Sequence, residues 1–131
     1  MGELITFYGA TDGTNATGTV SLDSNILYSS VDYIRIPKGV KLKIWGIRAY
    51  AVTTTNFNIE FTSDVTVGSP TYETVDSVFV AADDYEAYVN IEKRRPIVIK
   101  GATGKEAIRI TWSQSAAGNG GIAIDVEFGN D

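Results

Sequence analysis

Apolar and polar residues alternate along most of this chain with a period of two, the spacing at which neighbouring side chains point to opposite faces of a β-strand. Val40-Lys41-Leu42-Lys43-Ile44-Trp45 sets Val40, Leu42 and Ile44 on a core face and both lysines on the other. After Gly46 the phase shifts to Ile47, Ala49 and Ala51. A glycine at such a change predicts a β-bulge, or a bend carrying a long strand around a sandwich corner. Beyond the Thr53-Thr54-Thr55-Asn56 turn, Phe57, Ile59 and Phe61 continue the inward set as one arm of a hairpin, with Asn58, Glu60 and Thr62 outward. Val75–Ala81 and Tyr85–Ile91 read as strands around a turn at Asp83-Asp84, the second with Tyr85, Ala87, Val89 and Ile91 on one face. Pro96 introduces Ile97-Val98-Ile99-Lys100. A terminal hairpin closes the pattern: Ile108, Ile110 and Trp112 face inward, residues 113–121 form the loop, and Ile122, Ile124, Val126 and Phe128 face inward again.

The first third carries shorter signals. Leu4–Tyr8 reads as a strand, and residues 9–18, rich in Gly, Thr and Asn, read as a loop or the hinge of a flexible arm. Thr19–Leu22 and Val31–Ile36 read as strands, and Pro37-Lys38-Gly39 is a tight-turn signal. A second long loop falls at residues 63–73, around Gly68-Ser69-Pro70. No segment shows a 3.6-residue apolar period. About eight to ten strands with frequent turn signals predict an all-β, antiparallel two-sheet sandwich. One domain over residues 1–131 is expected, with residues 1–18 forming a short strand and arm.

Composition narrows the chemistry. The 131 residues include no His and no Cys. Ser-His-Asp and Cys-His nucleophile systems and the common zinc sites therefore cannot be built, and no enzyme activity or cofactor is expected. A pair of carboxylates could still hydrolyse glycosides. The candidates are Asp83, Asp84 and Glu86, or Asp125 and Glu127, which the strand phase instead explains as solvated face charges. Oxygen-only calcium ligation at residues 83–86 or at Asp12-Gly13-Thr14-Asn15 lacks the EF-hand spacing. No apolar run reaches the length of a membrane span, and residues 1–5 show no signal-peptide pattern. Virion or cytoplasm is the expected location.

The net charge of −5 argues against a nucleic-acid partner. Its distribution is blocked: Arg35, Lys38, Lys41, Lys43 and Arg48 precede a stretch, residues 49–91, that has seven acids and no cation. Such blocks either steer identical copies together or pair between strands of one molecule. Lys93-Arg94-Arg95 is the densest basic run, read either as a partner surface or as an edge protected by charge and Pro96. Among the aromatics, Trp112, Phe57, Phe61 and Phe128 fit the core. Trp45, Tyr50, Tyr72, Tyr85 and Tyr88 are available to a surface, and Trp45 and Tyr88 fall out of phase with their apolar neighbours. Stacking on a glycan or burial under a second subunit would account for them. The candidate interface is thus Trp45, Tyr88, Asp83, Asp84, Glu86, Lys93, Arg94 and Arg95.

The short first strand with its Gly/Thr/Asn arm, the Ile34–Ile44 hairpin through Pro37-Lys38-Gly39, and the Ile108–Phe128 hairpin resemble the single jelly-roll proteins of viral capsids and capsid decoration. The resemblance implies a jelly roll and a non-enzymatic structural subunit that self-assembles with its own copies or with other capsid subunits. Capsid proteins of this kind often carry a basic N-terminal arm, which this chain lacks, so the resemblance points to decoration, a turret or a spike, or an arm exchanged between subunits. A carbohydrate-binding sandwich module, with a glycan as partner, is the alternative from a different functional class.

Overall fold

The inward residues of the alternating segments meet in one apolar core between two antiparallel sheets, with Phe57, Ile59, Ile44, Leu42, Ile110 and Ile124 fully buried. The structure, a computed structural model, describes residues 3–89 and 96–130, the side chains of Tyr88 and Val89 excepted. In chain order its strands are β1 (Leu4–Ala10), β2 (Thr17–Thr19), β3 (Ile34–Arg35), β4 (Val40–Ala51), β5 (Thr55–Thr62), β6 (Glu73–Val80), β7 (Asp84–Val89), β8 (Ile97–Lys100), β9 (Ala107–Gln114) and β10 (Gly120–Asn130). The first sheet runs β1-β10-β4-β7, with β8 continuing the β7 edge along the other half of β4. The second runs β2-β9-β5-β6, with β3 following β2 along β9. Taking β2/β3 and β7/β8 as interrupted single strands leaves four positions in each sheet, in the order of a jelly roll.

This topology corrects the expected hairpins. β3 and β4 lie in opposite sheets, as do β4 and β5, β6 and β7, and β9 and β10. The turn at Pro37-Lys38-Gly39 is as tight as its residues demand: Val40 N–H donates to the Pro37 carbonyl at 3.1 Å, and Gly39 takes a φ of +80° that a side chain would resist. It carries the chain from one sheet to the other. The hairpin that does form joins β5 to β6 across the long loop, residues 63–72. Alternation reports which face is buried, and both sheets bury the same face toward one core, so the pattern is blind to the choice of pairing partner.

The phase change at Gly46 is a bulge rather than a corner. Asp125 pairs with Gly46 and Val126 with Ile44, which makes Trp45 the extra residue, and β4 stays in the first sheet on both sides. A second irregularity lies where Ile59 pairs with Asp76 and Glu60 with Thr74. The extra residue there is Val75 on β6, while β5 keeps an unbroken register with β9. Phe61 is half-buried and Thr62 buried, the reverse of the expected phase.

Strand pairing is shorter than expected at residues 19–36, where the chain crosses the end of the sandwich. Val20 and Leu22 are fully buried, yet their N–H groups bond to Ile110 at 2.8 Å and Val31 at 2.7 Å as isolated contacts. By contrast β1 is longer than expected and pairs with β10 of its own chain from Leu4 to Ala10.

Asp83, at the β6–β7 connection, has a φ of +56°. Asp tolerates this region, whereas a β-branched side chain clashes with its own backbone there at a cost of roughly 1–2 kcal/mol. Asp83→Val is expected to lower the unfolding free energy by about that amount, and Asp83→Gly to leave it level or slightly higher, as read by urea denaturation.

Candidate functional site

The outward residues of the first sheet form rows across its strands, fixed by the pairing register. One row holds Ala10, Gly121, Tyr50 and Tyr85; the next holds Tyr8, Ala123, Arg48 and Ala87; a third holds Thr6, Asp125 and Gly46. Bulk is unevenly spread. The central strand β10 contributes only Gly121 and Ala123 to the first two rows, while Tyr8 rises from β1 on one side and Tyr50, Arg48 and Tyr85 rise from β4 and β7 on the other. The result is a trough of about 500 Å³ with a floor of small residues and tyrosine walls. That volume falls within the usual range of small-ligand pockets.

The walls are exposed: Tyr8 by 44%, Tyr50 by 50% and Tyr85 by 58%. Tyr50 leans over the floor. A Cβ on Gly121 would stand 2.6 Å from the Tyr50 Cε1, so the ring occupies space that only glycine leaves open. Beside the trough, the Thr6 hydroxyl donates to Asp125 Oδ1 at 2.6 Å, and Arg48 Nη2 donates to the same oxygen at 2.9 Å. This ion pair is half-exposed, so its contribution to stability is small.

The outer face of the second sheet differs in kind. Its central rows are built of Asn56, Asn58, Thr111, Ser113 and Ser77, and Ser77 donates to Asn58 Oδ1 at 2.7 Å. Arg109 closes one end of that face, donating to Glu60 at 2.7 Å and lying 3.6 Å from the centre of the Tyr72 ring. Burial raises the Tyr72 hydroxyl above its ordinary pKa, and the nearby Arg109 opposes the shift. Tyr72, one of the aromatics available to a surface, is therefore engaged by its own chain. A further cleft of about 520 Å³ opens at one end of the sandwich, between Phe7, Leu27, Val31, Tyr33 and Phe128. Ile26 and Tyr28 stand exposed on the adjoining loop.

The candidate residues from the sequence are dispersed. Trp45 is half-buried on the outer side of the first sheet, and its indole N–H donates to Glu127 at 3.0 Å. Glu127 is only 6% exposed, so this carboxylate on the outward phase is covered rather than solvated. Position 88 pairs with Ile47, and the side chain of Tyr88 lies outside the described residues, as do Lys93, Arg94 and Arg95. Asp83 and Asp84 are exposed at the β6–β7 turn, with Glu86 half-buried on β7. The face of β7 that carries Tyr85 and Ala87 is the outer one, opposite Tyr50 and Arg48. At the first loop, Asp12 accepts the N–H groups of Thr14 at 2.9 Å and Asn15 at 2.8 Å, and the Asn15 amide at 2.7 Å. These bonds hold its pKa down at about 2, the Asn15 side chain contributing most.

Of the charge blocks, Arg48 pairs with Asp125 and Arg109 with Glu60 inside one chain. Sequence reasoning had singled out Tyr50 and Tyr85 but not Tyr8, Gly121 or Ala123. Tyr8 carried a signal, since it falls opposite in phase to the buried Phe7.

No family profile matches the chain, and no curated protein is similar to it in sequence. Several solved structures resemble it in fold. A carbohydrate-binding module, TmCBM61, solved with β-1,4-galactotriose, is 11% identical with a TM-score of 0.43, over 100% of this chain and 73% of that one. A structure described as CBM4 is 16% identical with a TM-score of 0.44, over 97% of this chain and 77% of that one. The infectious bursal disease virus Gx strain structure is 14% identical with a TM-score of 0.36, over 96% of this chain and 31% of that one. Likeness at this level does not carry function from one protein to another.

Proposed function

We propose that this chain is a non-catalytic glycan-binding module, and that the trough on the first sheet is its binding site. The observation that carries this reading is the set of three exposed tyrosines around a floor of glycine and alanine. A pyranose ring has an apolar C–H face and a rim of hydroxyls. Tyrosine rings cover the face without much loss of conformational entropy, and their hydroxyls, with Arg48 and Asp125, address the rim. A floor without side chains lets the sugar sit between the walls.

Calorimetric titration against a panel of soluble oligosaccharides tests the reading. Tyr8→Ala, Tyr50→Ala and Tyr85→Ala are each expected to weaken binding about tenfold, near 1.4 kcal/mol, and to leave the unfolding midpoint in place because the rings are half in solvent. A broad panel without any ligand overturns it.

A second reading, the self-assembling subunit of a capsid, turret or decoration, is favoured by a different surface. Ile26, 60% exposed, and Tyr28, fully exposed, stand beside the apolar cleft at the end of the sandwich. Light scattering over a range of protein concentrations separates the two readings. The mass of one chain throughout argues against assembly of identical copies.

A further inference from the structure

Resting on the glycan reading, we propose that the site selects a neutral sugar, and that Asp125 and Arg48 read a vicinal pair of its hydroxyls. Among the described residues, both side-chain hydrogen bonds to Asp125 arrive at one oxygen: Thr6 and Arg48 each donate to Oδ1. The other oxygen, Oδ2, stands over Gly46, 2.8 Å from where a Cβ would be, on the side of the strand that glycine leaves bare. The Asp125 side chain is 27% exposed and that of Arg48 44%. Thr6 and Arg48 therefore orient the carboxylate without using up its accepting capacity, and Arg48 keeps N–H donors beyond the one it gives to Asp125.

An acceptor and a donor side by side are what two adjacent hydroxyls require. One hydroxyl donates to Oδ2, and its neighbour accepts from the guanidinium. Asp125 lies two residues along β10 from Ala123, about 7 Å from the trough floor and so within reach of a ring seated there.

Charge sets the class of sugar. The carboxylate and guanidinium are 2.9 Å apart and together bring no net charge to the site. A uronate or sulfated sugar would meet the Asp125 charge while the Arg48 charge is already matched. It would lose its hydration without gaining a partner. A neutral sugar incurs no such cost.

The test titrates wild-type protein with neutral oligosaccharides and with uronate-containing or sulfated ones of equal length, at about 0.05 and 0.5 M salt. Neutral ligands are expected to bind at least tenfold more tightly, with affinity changing less than about twofold across that salt range. Asp125→Asn is expected to weaken neutral binding about tenfold and to narrow the preference over anionic ligands. Arg48→Gln, which keeps a donor, is expected to weaken binding less than Arg48→Met. Acidic ligands binding as well as neutral ones, with affinity falling as salt rises, would overturn the inference while leaving glycan binding intact. So would an Asp125→Asn protein, folded by circular dichroism, with unchanged affinity and selectivity. Absence of binding by every sugar of both classes overturns the glycan reading itself.

Discussion

Replacing Glu106 with alanine is expected to lower the unfolding free energy by about 3 kcal/mol at neutral pH, a large part of the stability of a domain this size. Glu106 is 5% exposed, just before β9, and its carboxylate organises the preceding turn. The backbone N–H and hydroxyl of Thr103 donate to it at 3.1 and 3.0 Å, and the N–H of Gly104 donates at 3.0 Å. Alanine would leave these donors to a cavity only partly open to water. Glu106→Gln keeps the volume but turns an amide N–H₂ toward some of the same donors, so an intermediate loss of about 2 kcal/mol is expected.

The same site carries a pH signature. Burial by itself would raise the Glu106 pKa, but hydrogen bonds from its own backbone, from Thr103 and from Gly104 outweigh burial and hold it below the ordinary 4.5. Because the folded pKa is depressed, the stabilisation is fully present above the unfolded value and is lost as pH falls through the folded one. Asp12 and Asp64 are also held low, by bonds from Asn15 and Thr66 respectively, and add their own acid sensitivity. The quantity to measure is therefore the difference between wild type and Glu106→Gln in urea denaturation. That difference should hold steady above about pH 5 and shrink below it. A difference independent of pH down to 3 would mean that the Glu106 charge is not what holds the turn.

Nothing in the linear chain announces this role. Glu106 follows Gly101-Ala102-Thr103-Gly104-Lys105, a stretch whose composition says turn and no more. The donors reach the carboxylate only after Gly104 adopts a φ of +82°. Alternation, in contrast, was legible wherever a strand faces the core on one side and water on the other, as in Leu42, Ile44, Ile47 and Ala49 on β4 or Ile122, Ile124 and Val126 on β10. It failed where burial does not follow the pleat. Glu127 is covered on the outer face beneath Trp45. Val20 and Leu22 keep the alternation, but at the end of the sandwich and outside regular pairing.

The trough was partly legible for a related reason. Tyr50 stood among the aromatics available to a surface, but a site needs neighbours, and these come from β1, β10 and β7. Residues 8, 50, 85 and 121 meet only through the jelly-roll order, which places the first and last strands side by side. A hairpin reading pairs β9 with β10 and β3 with β4, which leaves Tyr8 with no route to Tyr50. The pairing error, harmless for the core, hid the trough.

Gly121→Val is the substitution that most directly separates trough from scaffold, and it is expected to reduce glycan affinity at least about a hundredfold, near 2.7 kcal/mol. A valine Cβ enters the space 2.6 Å from the Tyr50 ring, and its methyl groups occupy the floor between Tyr8 and Tyr50. The ring must swing away, so the change removes a stacking surface and the room beside it at once, a larger loss than any single tyrosine truncation. Stability should move by less than about 1 kcal/mol, because valine suits a strand and the displaced ring is half in solvent. Calorimetric titration and urea denaturation on the same preparation give both values. If Gly121→Val binds glycan as wild type does, the sugar lies elsewhere on the chain; if binding and stability fall together, Gly121 serves the pairing of β10 rather than the trough.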